Sequence, residues 1–152
     1  MLRRRKMTGL IFTAFLGVQG YHAVRAEDTP GPAAHFLYFP TGGKTLDAKD
    51  QNTVAEIAKT LEAHPDLFVT IVGKTDTVGS MEFNDKLAER RADAVFEALV
   101  YDNKVASSRI QVCWTGEHLP YINTGDQEEE NRNRMVAIIV AKVESNAHFC
   151  YK

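Results

Sequence analysis

Residues 68–72 (Phe-Val-Thr-Ile-Val) form an aromatic and β-branched run that stops at Gly73, and beyond Gly79 the apolar residues change from strand to helical spacing. A strand, a loop and a helix therefore follow one another directly. At about 100° per residue, Phe83, Leu87, Ala94 and Val95 share one stripe of that helix, with Arg91 in its middle and Arg90 at its edge. A guanidinium turned towards a core without a partner costs about several kcal/mol. Arg91 thus calls for an anion. The anion is either a bound ligand or Asp76 on the connecting loop, which would then pin the turn to the helix.

The other elements follow the same logic. Residues 36–39 read as a first strand. Residues 47–63 carry Val54, Ile57, Ala58 and Leu61 at helical spacing and stop at His64-Pro65, where the residue before a proline disfavours helix. The second helix spans about 80–100. Residues 110–114 give a third strand and 134–143 a fourth, whose Val-Ala-Ile-Ile-Val core is too continuously apolar to be exposed on either face. Between these strands, residues 116–133 form a long polar loop. Its acidic run Asp126-Gln127-Glu128-Glu129-Glu130 reads as a solvated face or the start of a short helix. The order is βαβαββ, an α+β chain.

Several spaced residues carry a family likeness: Gly73, Thr75-Asp76, Gly79, Phe83-Asn84, Leu87 and Arg90-Arg91-Ala92, then Gly116-Glu117 with Pro120, then Asn133-Arg134-Met135-Val136. They resemble the signature of the OmpA-like (OmpA/MotB C-terminal) peptidoglycan-binding domain. The resemblance covers residues 36–143. It implies a mixed sheet with two main helices on one face, and a groove that holds the peptide stem of peptidoglycan through diaminopimelate, with Asp76 and Arg91 as anchors. This sequence departs from the family pattern at Lys74, Phe83, Ala88 and Met135, and in Phe39-Pro40-Thr41-Gly42-Gly43.

The side chain of diaminopimelate ends in an amino-acid centre bearing an ammonium and a carboxylate. Arg91 suits the carboxylate, because its planar fork makes two parallel charge-assisted hydrogen bonds, and Asp76 suits the ammonium. Asn84 shares the face of Arg91 and is able either to bond the stem or to fix the Asp76 loop. Thr75 offers a hydroxyl or its backbone. Arg134 and Asn133 open the fourth strand, where an arginine is commonly solvated or paired with a surface acid but is also placed to reach the groove. Lys74 reads as a solvated surface lysine or as an added cation beside the acid.

The termini add a compartment. Arg3-Arg4-Arg5-Lys6, the apolar residues 10–18 and the small-residue site at Ala26 read as a secretory signal peptide over 1–26, with an apolar stretch shorter than the ~20 residues of a membrane span. Residues 27–35 are a short lead-in and 144–152 a tail. Removing the five basic residues of the leader from the total of 18 leaves 13 against 20 acidic side chains, a mature charge of about −7. An acidic exported domain has no electrostatic reason to bind nucleic acid. Cys113 and Cys150 invite a disulfide in an oxidising compartment.

The histidines lack ligand spacing, no serine lies in a nucleophile elbow, and the two cysteines form no C-x-x-C. The sequence thus points to a protein that is not an enzyme and uses no metal or cofactor. The expected role is non-covalent peptidoglycan binding in the periplasm, associated with the outer membrane. The competing role is that of an interaction subunit among envelope proteins, with a groove that has drifted.

Overall fold

The computed structural model describes residues 30–142. The expected leader, the start of the lead-in, the C-terminal tail and Cys150 lie outside the described residues. The chain runs β1 (Ala33–Tyr38), α1 (Ala48–Ala63), β2 (Leu67–Lys74), α2 (Met81–Glu97), β3 (Ile110–Gly116) and β4 (Met135–Lys142). The sheet has the order β1-β4-β2-β3, in which β2 and β3 are parallel and the other pairs antiparallel. This is the α+β mixed sheet with two main helices that the sequence predicts. β1 starts three residues before Phe36, because Ala33 and Ala34 pair with Val140 and Ile139.

The helices begin on side-chain caps. Asp47 Oδ1 accepts the Asp50 N–H at 2.8 Å, and Ser80 Oγ accepts that of Phe83 at 3.2 Å. Helix α1 stops at His64, before Pro65, whereas α2 runs on into a π-helical turn, Ala98–Asp102. Val54, Ile57 and Leu61 of α1 and Ala92 and Val95 of α2 join one core with Leu37, Val69, Ile71, Val136, Ile138 and Val140. Those sheet residues alternate along their strands, so the helices cover a single face.

Gly73 places α2 relative to β2. A Cβ at this position would lie 2.1 Å from the carbonyl oxygen of Ala88, so only glycine lets the strand approach the helix backbone this closely. The Thr75–Gly79 turn is thereby held over the first turns of α2. The connection from β3 to β4 contains turns and bends but no helix. Of the two readings of its acidic run, a solvated face or a short helix start, the helix start does not form, because the backbone there is bonded to the β2–α2 turn.

Candidate functional site

Asp76 lies just beyond β2 and is 4% exposed. Its Oδ2 accepts from Arg134 Nη1 at 2.8 Å and from the Glu130 N–H at 3.4 Å, and of its two carboxylate oxygens only Oδ2 is so engaged among the described residues. Arg134 is buried rather than solvated. It also donates from Nε to the carbonyl of Phe39 at 3.2 Å and from Nη2 to Asn131 Oδ1.

Arg91 is fully buried, as its place on the apolar stripe requires. The direct Asp76–Arg91 pairing left open by the sequence is replaced by the Asp76–Arg134 pair. Arg91 instead donates from Nε to the carbonyl of Gly43 at 2.8 Å, from Nη1 to that of Lys74 at 2.9 Å and from Nη2 to that of Pro40 at 3.2 Å. Its guanidinium carbon lies 5.1 Å from the centroid of Phe39. Three carbonyl dipoles therefore do what a single anion was expected to do. Burial pulls the Arg91 pKa down to about 10, with the attraction of Asp76 opposing this and the repulsion of Arg134 adding to it. Arg91 remains a cation at neutral pH. Among the described residues three of the five guanidinium N–H groups are used, which leaves two.

Asn84 is buried on α2. Its Nδ2 donates to the carbonyl of Asp76 at 3.3 Å and to Glu117 Oε2 at 2.6 Å, so it fixes the turn that carries the acid. The Thr75 N–H bonds the carbonyl of Gly116 at 2.9 Å, while the Thr75 hydroxyl is buried with no hydrogen-bond partner among the described residues. Lys74 Nζ donates to Thr115 Oγ1 at 3.3 Å and to the carbonyl of Leu119, and burial lowers its pKa. Asn133 is buried and exchanges two 2.8 Å bonds with the backbone of Ile122.

The acidic loop contributes residues that sequence spacing does not mark. Gln127 donates to the carbonyl of Gly79 at 2.9 Å and accepts its N–H at 3.0 Å. Thr77 Oγ1 donates to the carbonyl of Gly125 at 2.7 Å and accepts the Glu128 N–H at 3.0 Å. The β3–β4 loop thus clasps the β2–α2 turn and brings Glu130 and Asn131 to the Asp76–Arg134 pair. Their signal is backbone bonding over about fifty residues of chain, which no local pattern carries.

Together these contacts gather Asp76, Arg91 and Arg134 around one turn. With two guanidiniums and one carboxylate, the cluster carries a formal charge of +1 within an acidic chain. Arg90 lies elsewhere. It is exposed and lines a separate cleft of about 550 Å³ between α2 and residues 44–51, with Lys44, Asp93, Glu97 and Asp102.

The chain belongs to the OmpA family, whose model matches residues 38–134. It is 31% identical over 103 residues to the probable lipoprotein YiaD of Escherichia coli, covering 68% of this chain and 47% of that protein. It is 35% identical over 111 residues to the peptidoglycan-associated lipoprotein of Legionella pneumophila, covering 73% of this chain and 62% of that one. The chain therefore spans less than two thirds of the length of either. The crystal structure of the peptidoglycan-associated lipoprotein from Burkholderia pseudomallei superimposes with a TM-score of 0.63 at 26% identity, covering 69% of this chain and 88% of that one.

Proposed function

We propose that this protein binds peptidoglycan non-covalently and without catalysis, through the diaminopimelate of the stem peptide, and so tethers or organises the bacterial envelope from the periplasm. The observation that carries the reading is Asp76 itself. Arg134 and the Glu130 N–H hold the carboxylate by Oδ2, which leaves Oδ1 for a ligand ammonium. The two remaining N–H groups of Arg91 suit the neighbouring carboxylate, and the Thr75 hydroxyl, unpartnered among the described residues, adds a polar group beside the acid. The name of the Legionella relative, peptidoglycan-associated lipoprotein, supports the same ligand class. Export by the leader over residues 1–26, association with the outer membrane and a Cys113–Cys150 disulfide belong to this reading.

A second reading is favoured by one observation, the complete burial of Arg91 under three carbonyls. On that reading the guanidinium serves the fold and the domain is an interaction subunit among envelope proteins. Sedimentation with isolated sacculi separates the two. Wild-type protein is expected to co-sediment, and Asp76→Ala protein that circular dichroism shows to be folded is expected to remain in the supernatant; equal partitioning of both favours the interaction subunit.

A further inference from the structure

The helices leave the second face of the sheet to other cover. Alternation places Phe68, Thr70 and Val72 of β2, Met135, Ala137, Ile139 and Ala141 of β4, and Cys113 of β3 on that face, because their sequence neighbours face the helices. Thr70, Val72, Ala137 and Ala141 are nevertheless 0%, 5%, 6% and 1% exposed. None of them belongs to the core cluster that joins sheet and helices. The β3–β4 loop reaches the β1 side of this face, where the rings of Phe36 and Tyr121 lie 6.2 Å apart. Small apolar side chains at the Leu67 end call for a separate cover.

We propose that residues 143–152 turn back from the end of β4 and dock across this face, clamped by a disulfide between Cys113 and Cys150. The clamp is the pairing named above, and the docking goes beyond it. Lys142 pairs with Leu67, and Cys113 pairs with Val72, five residues further along β2 and two strands over from β4. At strand spacings this is a separation of ~20 Å. The eight residues from 143 to 150 span up to ~28 Å when extended, which is enough for the reversal and the crossing. The segment carries Phe149 and Tyr151 beside the cysteine, apolar area suited to a face of Ala, Val, Ile and Phe.

Full-length protein prepared under oxidising conditions tests the proposal. Denatured without reductant it is expected to show no labelled thiol, and two labelled thiols would overturn the clamp. Docking is read separately, from the reactivity of Cys113 in folded Cys150→Ser protein. Adding Phe149→Asp should lift the segment from the apolar face and speed native-state labelling of Cys113 about tenfold, with a matching rise in binding of an apolar dye. Tyr151→Asp in the same background serves if the first variant fails to fold. Equal labelling rates with and without the aspartate would overturn the docking, whatever the state of the cysteines in wild type.

Discussion

Arg134 Nη1 lies 2.8 Å from Asp76 Oδ2, and this buried ion pair ties the start of β4 to the turn that follows β2. Both side chains are more than nine-tenths buried, so each is a charge partner that water does not replace. Breaking such a pair from one side leaves a desolvated charge and costs ~3–5 kcal/mol, whereas removing both charges costs much less. Arg134→Met is therefore expected to lower the urea midpoint far more than Asp76→Asn/Arg134→Met does. Strict additivity of the two single changes would show that the pair is not coupled.

The pair also shows where sequence reasoning stops. Arg91 is legible, because a helical period computed from its neighbours puts it on the buried stripe. Its partners are not, since Pro40, Gly43 and Lys74 contribute backbone carbonyls from 17 to 51 residues away, and a carbonyl has no residue signature. Arg134 stands at the start of a strand, a place that reads as solvated until Asp76, 58 residues earlier, folds against it. The strands and helices were legible for the opposite reason: period and β-branching act within a few residues. Gln127 lies between these cases, within an acidic run whose composition suggests a solvated surface while its amide clasps Gly79.

Gly73 and Gly42 give a contrast in what a methyl group does. At Gly73 the added Cβ meets backbone of α2 at 2.1 Å, so the helix must move. At Gly42 the space is open and only the positive φ of 69° is strained. Gly73→Ala is expected to destabilise by ~3 kcal/mol by the overpacking mechanism, and Gly42→Ala by ~1 kcal/mol as a backbone effect. Thermal unfolding followed by circular dichroism ranks them, and a larger shift for Gly42→Ala would contradict the close strand–helix approach.

Adjacent arginines should behave differently on the wall polymer. Arg91 is enclosed beside Asp76, while Arg90 is exposed on the cleft side of α2. Arg91→Ala is expected to abolish co-sedimentation with sacculi, and Arg90→Ala to leave most of it. The melting temperature distinguishes a ligand role from a role in the fold, because three backbone carbonyls lose their donors in Arg91→Ala. Loss of binding by Arg91→Lys at an unchanged melting temperature would favour the ligand role, since lysine keeps the charge and loses the fork.

Ligand choice tests two-point recognition directly. If Asp76 Oδ1 takes the ammonium and Arg91 the terminal carboxylate, amidating that carboxylate replaces a charge-assisted acceptor with a neutral amide unable to accept in bidentate fashion. A loss of ~1.5–3 kcal/mol, roughly tenfold to a hundredfold in affinity, is expected. A stem in which lysine replaces diaminopimelate lacks the carboxylate altogether and should bind at least as weakly. Titration calorimetry with the three stem peptides reads the difference, and Asp76→Asn should weaken all three because each retains the ammonium. Three indistinguishable affinities would mean that the site reads glycan or peptide backbone, and that the buried guanidinium of Arg91 serves only to fasten the 40–43 turn to α2.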